Sequence, residues 1–236
     1  AEFFSEISNQ QTPPQYFYFD GTSWKPGASG KAAEVISPID GSLVGTIPIL
    51  TQDEIDRVMN AAAGAQSAWE ATPLNKRVGI LHLAADWIRH YQEYLIALLV
   101  REVGKSAEEA KGEIVRTADL IDYFADEVQS IQGMTLDSDN FPGFEKGRIA
   151  MIERVAYGTV LAIAPFNYPV NLTASKIAPA LLMGNSVVVK PPTQGGISAL
   201  HLVRMFQKAG VPAGVISTVT GNGEIIGDYV VSHPKI

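Results

Sequence analysis

Asn167 stands in Pro165-Phe166-Asn167-Tyr168-Pro169, where each proline fixes its own φ and narrows the residue before it. A carboxamide held in a bend of aromatics is a preorganised neutral donor, the type of group that stabilises an oxyanion. An asparagine that bonds its own turn would read the same way. Further on, Lys190-Pro191-Pro192-Thr193 sets an ammonium and a hydroxyl on a stiff loop. That suits a phosphate or a ribose, and a solvated lysine at a strand end is the plain alternative. Gly221-x-Gly223-x-x-x-Gly227 before a helix can approach a phosphate or a ring closely, although an ordinary strand-to-helix turn carries the same letters. Arg116 is flanked by Glu113 and Asp119, three residues to either side, a spacing that makes a helix-surface ion pair. His82, His90, His201 and His233 are scattered, and His82 and His90 fall about two helical turns apart, too far to share a metal. No metal site is expected. The chain has no cysteine, so it offers neither disulfides nor thiol chemistry.

These groups need elements that bring them to one place. Thr159 to Ala164 is a short apolar run without polar alternation, as in a strand covered on both faces. Val170 to Met183 predicts a buried helix capped by Gly184, and Ser186 to Lys190 the next strand. Ile197 to Ala209 predicts another helix, Val215 to Thr220 a third strand, and Glu224 to Ser232 a further helix, with His233 to Ile236 approaching a fourth strand. Strands joined by helices run parallel, and all three polar turns then meet at the carboxyl rim, where open α/β sheets bind ligands.

The first half reads as support. Residues 1–15 form a loose polar lead. Hairpins follow around Asp20-Gly21 and Asp40-Gly41. Thr51 with Glu54 makes a capping box for a helix to about Trp69. A second helix is expected over Asn75 to Val103, closed by Gly104, and a third from Ser106 to about Ile131, the three covering one face of the sheet. Gly133 to Gly147 reads as a linker or excursion. Arg148 to Tyr157 alternates in part, which fits either a subunit-pairing arm or a solvated edge strand. The expected organisation is residues 1–132 as the first part of a cofactor-binding domain, 133–158 as an oligomerisation arm, and 159–236 as the α/β core.

Composition bounds the partners. With 46% hydrophobic residues in 236, a sizeable core is available, and a net charge of −7 disfavours nucleic acid or an anionic membrane as partner. No apolar run reaches bilayer length and the first fifteen residues are polar, so the expected setting is cytoplasmic.

Taken together, Pro165-Phe166-Asn167-Tyr168-Pro169, Lys176-Ile177-Ala178-Pro179-Ala180-Leu181, Gly184-Asn185, Lys190-Pro191-Pro192-Thr193 and Ala213-Gly214-Val215 resemble the aldehyde dehydrogenase superfamily. The resemblance runs from Tyr16 onward and includes Glu102-x-Gly104-Lys105. The Phe-Asn-Tyr-Pro-Val-Asn and Lys-Pro-Pro-Thr-Gln-Gly forms look like the NADP-dependent, non-phosphorylating glyceraldehyde-3-phosphate dehydrogenases. The fold implied is α/β, an open parallel sheet of the Rossmann-like cofactor-binding domain, incomplete here. The reaction implied is attack of a cysteine thiolate on an aldehyde, hydride loss to the nicotinamide, and hydrolysis of the thioester by a glutamate-activated water.

By that resemblance Asn167 is the oxyanion donor and Lys190 the cofactor lysine at the adenosine ribose. Pro191 and Pro192 carry its loop, Thr193 replaces the glutamate common in NAD-preferring members, and Ala164 contacts the nicotinamide half. Asp228 matches a position near the cofactor. Tyr168 and Arg116 match substrate-phosphate contacts. The cofactor expected is NADP, the substrate a small aldehyde, and the assembly a homo-oligomer, dimer or tetramer. Neither the cysteine nor the glutamate base of the family lies in this sequence, so a catalytic half beyond Ile236 is expected. An NADP-dependent dehydrogenase of a semialdehyde or lactaldehyde, or a stand-alone nucleotide-binding or scaffolding module, are the competing readings.

Overall fold

The computed structural model describes residues 2–131, 133–137, 142–143 and 147–236. The lead expected to be loose instead opens with a 3-10 helix, Glu2–Ile7, because Phe4 and Ile7 are buried against the core. Two antiparallel ribbons follow, β1 (Tyr18–Phe19) with β2 (Trp24–Lys25) and β3 (Ala32–Ile36) with β4 (Leu43–Pro48). Helix α1 (Gln52–Glu70) starts on the expected capping box: Thr51 Oγ1 accepts from Glu54 N while the Glu54 carboxylate accepts from Thr51 N.

The long second helix of the sequence reading is two, α2 (Leu74–His90) and α3 (Gln92–Val103). The break is at Tyr91, whose backbone leaves the helical region at φ −101°, ψ 19°. No glycine or proline marks it. Its cause is tertiary: the Tyr91 ring packs with Phe3, Phe4 and Trp87 at centroid distances of 4.6, 5.1 and 6.1 Å. Gly104, in the left-handed region at φ 77°, closes α3. Helix α4 (Ala107–Glu127) begins on a second capping box, Ser106 with Glu109, and passes into a 3-10 turn at Val128–Ile131.

The stretch read as a linker contributes a strand, β5 (Met134–Asp137), while residues 138–141 and 144–146 of it lie outside the described residues. It pairs antiparallel with β6 (Ile149–Ile152). All four residues of β6 are exposed, so this ribbon has two wet faces rather than one.

The core sheet is parallel, ordered β7 (Thr159–Ile163), β8 (Ser186–Lys190), β9 (Ile216–Thr218). Helices α5 (Asn171–Leu182) and α6 (Gly196–Lys208) make the crossovers, and α7 (Gly223–Val231) follows β9. All five residues of β8 are buried. Val187 and Val189 join the cluster containing Ala174, Ile177 and Leu181 of α5 and Leu200 and Val203 of α6. Val188, pointing the other way by the period of two, joins Ile55, Val58 and Met59 of α1 and Ile226 and Val230 of α7. Each such valine contributes about 1.5–3 kcal/mol by burial.

Only α1 of the first-half helices lies on the sheet. Helices α2, α3 and α4 pack behind α5 and α6 as an outer layer, which corrects the expectation that all cover one sheet face. They are displaced because α5 and α6 already occupy that face. The chain from His233 to Ile236, read as the approach to a strand, is a turn. The first and last thirds therefore share one core.

Candidate functional site

The carboxyl ends of β7, β8 and β9 deliver the three polar turns to one rim, as the parallel pairing requires. At the end of β7, Ala164 is buried and the chain then turns outward, leaving Phe166, Asn167 and Tyr168 exposed. Among the described residues the Asn167 side chain has no hydrogen-bond partner. The alternative that it bonds its own turn is not realised, and its N–H groups face outward unused.

Lys190 ends β8. It is buried, 6% exposed, rather than solvated. Its Nζ reaches only the Pro191 carbonyl, at 3.5 Å, and no carboxylate pairs with it among the described residues. Burial holds its pKa below the usual lysine value. A buried ammonium without a counter-charge is costly, and an incoming polyol or phosphate relieves that cost. Pro191, Pro192 and Thr193 line a cleft with Thr220 and Gly221 from the end of β9, closed by Ala33 and Ile47 of the β3–β4 ribbon. The sequence reading missed the contribution of Ala33, Ile47 and Thr220. Nothing local marks them, since the ribbon meets the rim through residues distant in sequence: Thr220, whose hydroxyl donates to the Pro48 carbonyl at 2.6 Å, and Gln194, which donates to the Ile36 carbonyl at 3.0 Å.

Of the three glycines after β9, only Gly221 is required by the fold. Its φ is 151°, and a Cβ there would meet Ile226 Cδ1 at 2.9 Å, whereas Gly223 and Gly227 look into open space. Asp228 lies in the second turn of α7, exposed, and does not line the cleft.

Each of the three helices at this rim points its N-terminus toward it, and two of those ends are already filled. The fully buried Glu113 of α4 accepts from Val170 N at 2.9 Å and Asn171 N at 3.1 Å, at the start of α5. The fully buried Glu102 of α3 accepts from Ile197 N at 2.7 Å and from Ser198 N at 2.9 Å and Oγ at 2.5 Å, at the start of α6. Burial pushes the Glu102 carboxyl up to about 7, against the pull of those donors. At α7 only the chain's own Asn222 side chain serves, accepting from Glu224 N at 3.3 Å. The start of α7 is thus the one of the three free to receive an anion. The sequence reading named Glu102 only within Glu102-x-Gly104-Lys105 and Glu113 only as a neighbour of Arg116, and gave neither this role. The available signal was position: Glu102 follows Leu95 and Leu99 by seven and three residues, and Glu113 follows Ala110 by three and precedes Thr117 by four, so both interrupt buried stripes.

Arg116 and Tyr168 are brought together, with the guanidinium carbon 5.7 Å from the Tyr168 ring centroid. The ion pairs offered by the sequence do not form. Glu113 is buried against α5 and Asp119 pairs with Arg89 at 2.9 Å, so Arg116 keeps only a bond from Nε to the Gly112 carbonyl, 2.9 Å. A third residue, Lys105, sits 3.7 Å above the same ring while bonded to Glu113 at 2.5 Å.

The described residues hold no cluster of three or more potential metal ligands, and no described helix is long and apolar enough to cross a membrane. A parallel α/β sheet that gathers a buried lysine, an exposed carboxamide and the start of a helix at its carboxyl rim has the layout in which open α/β sheets bind ligands.

Comparison with known proteins gives the family. The aldehyde dehydrogenase family model matches residues 24–236, and the chain belongs to that family. It is 45% identical over 223 residues to the NADP-dependent glyceraldehyde-3-phosphate dehydrogenase of Triticum aestivum, covering 94% of this chain and 45% of that protein. The Pisum sativum protein of the same name is 44% identical over 223 residues, with the same coverage. A crystal structure of the NADP-dependent glyceraldehyde-3-phosphate dehydrogenase from Bacillus halodurans C-125, complexed with NADP, superposes with a TM-score of 0.91 at 42% identity, covering 93% of this chain and 46% of that one. The chain spans about half the length of the curated relatives it matches.

Proposed function

We propose that these residues form the nucleotide-binding part of an NADP-dependent aldehyde dehydrogenase that converts glyceraldehyde 3-phosphate irreversibly to 3-phosphoglycerate. The thiol nucleophile and the glutamate base come, in this reading, from residues outside the 236. The observation that carries it is Lys190: a buried ammonium without a carboxylate, beside a hydroxyl, at the end of the central strand. A glutamate at Thr193 would accept from a ribose 2′-OH and repel a 2′-phosphate; threonine leaves that phosphate to Lys190. The start of α7 then takes the pyrophosphate.

NADP, when bound, accepts the hydride that the aldehyde carbon gives up. The chain's own residues do the rest of what is assigned here. Asn167 donates to the substrate oxygen as it gains negative charge, and its freedom from its own turn leaves those N–H groups for the task. Ala164 presents buried backbone to the nicotinamide half. Arg116 and Tyr168 take the substrate phosphate, a guanidinium and a phenol suited to a phosphate monoester. Asp228 is too far down α7 to share the cleft, and we assign it no direct contact.

The β5–β6 ribbon is the proposed oligomerisation arm of a homodimer or tetramer. It leaves Met134, Ile149 and Met151 54%, 69% and 74% exposed, apolar surface that a second subunit would cover.

Calorimetric titration with NADP and NAD tests the cofactor half of this reading. The expected result is NADP binding at least tenfold tighter than NAD, the added phosphate meeting a buried cation. Tighter NAD binding would overturn it.

A further inference from the structure

Among the described residues Lys105 approaches the Tyr168 ring more closely than Arg116 does, and its ammonium is held there by Glu113. Its side chain is 12% exposed and its Nζ is held on Glu113 at 2.5 Å, with the Tyr168 ring centroid 3.7 Å away. Glu113 spends its other oxygen on Val170 N and Asn171 N, two and three residues after Tyr168. One buried carboxylate therefore ties together the loop after α3, helix α4 and the first residues of α5. The Thr117 hydroxyl closes the same knot, donating to the Glu113 carbonyl at 2.7 Å and accepting from Asn171 Nδ2 at 3.3 Å. Asn167 and Tyr168 hang from this anchored point, and Arg116, one turn along α4 from Gly112, faces the ring.

We propose that Lys105 is a positioning residue for the phosphorylated end of the substrate. Anchored by Glu113, its ammonium attracts the face of the Tyr168 ring and holds the side chain in one χ1 position, which fixes where the phenol hydroxyl stands on the ring that the Arg116 guanidinium also faces. Two donors held in a set arrangement take a phosphate monoester; a side chain free to change χ1 offers the hydroxyl there only part of the time. Lys105 acts on phosphate recognition through Tyr168. This rests on the assignment of Arg116 and Tyr168 to a phosphate made above.

The test uses an active enzyme containing these 236 residues, assayed with glyceraldehyde 3-phosphate and with unphosphorylated glyceraldehyde. Lys105→Met should lower the preference for the phosphorylated substrate about tenfold, mostly through KM, while Lys105→Arg restores most of it. In a Tyr168→Phe background the same Lys105→Met change should cost little further preference, because the hydroxyl it aims is gone. Calorimetric NADP affinity in Lys105→Met reports whether the core still folds, and the Lys105→Arg variant keeps the charge where Met destabilises the knot. Equal losses on both substrates, or additive losses in the double variant, would overturn the positioning role. A wild-type enzyme with no preference for the phosphorylated aldehyde would instead remove the phosphate assignment, and the role of Lys105 with it.

Discussion

If Lys190 binds the cofactor as proposed, it trades stability for binding, and that trade can be measured. Lys190→Ala should weaken NADP by about 2 kcal/mol, roughly thirtyfold, by removing a desolvated cation from a phosphate. The thermal midpoint of the ligand-free protein should stay level or rise, because the lost charge was buried without a partner. A fall in both would mean that Lys190 is structural. Arg116 is exposed and bonds only Gly112, so Arg116→Leu should leave the midpoint within about 0.5 kcal/mol while raising KM for glyceraldehyde 3-phosphate about tenfold or more. Unchanged kinetics on that substrate would end the phosphate assignment. Asn167 and Lys190 were legible in the sequence because their surroundings are local: prolines on both sides in one case, a strand end and two prolines in the other. The burial of Lys190 was not legible, nor was the release of Arg116 from Glu113 and Asp119. Both depend on partners far along the chain, namely the flanking strands β7 and β9, the start of α5, and Arg89.

Helix α6 meets two titrating groups whose effects oppose, Glu102 of α3 at its start and its own His201. Burial raises Glu102 from an ordinary 4.5 to about 7, so between those values the folded protein holds a proton that the unfolded chain has shed. That stabilisation is complete below about 4.5 and is lost as pH rises to 7. His201, one turn into α6, is fully buried with Nδ1 2.8 Å from the Ile197 carbonyl and Nε2 2.9 Å from the Tyr94 hydroxyl. Burial lowers it from 6.5 to about 4, so its stabilisation is complete above 6.5 and is lost as pH falls to 4. The two slopes nearly cancel over that range. Glu102→Gln should expose the histidine slope: urea stability of the variant should rise with pH up to 6.5, by at most about 1.4 kcal/mol per unit, where the parent is flatter. Parallel profiles would show that Glu102 does not titrate there. At this scale the elements after Thr159 were readable because Pro and Gly punctuate them. The break at Tyr91 was not, since aromatic rings from the first residues of the chain impose it.

At the scale of the whole molecule, the β5–β6 ribbon projects Ile149 and Met151 into solvent. Replacing both, Ile149→Glu with Met151→Lys, should shift sedimentation of the assembly toward monomer while far-UV circular dichroism stays the same. A protein already monomeric before substitution would refute the arm. The sequence carried the ribbon only faintly, because strands with both faces wet in one chain lack the alternation by which strands are recognised. The filled starts of α5 and α6 have a consequence for how the protein meets its ionic surroundings. Inorganic phosphate, sulfate and free carboxylates are present around any protein in quantities far above a cofactor's. With Glu102 and Glu113 in place, two of the three helix ends at this rim are deaf to them, and the start of α7, capped by Asn222, is left listening. Neutralising either glutamate would make the protein's behaviour depend on the buffer it is dissolved in.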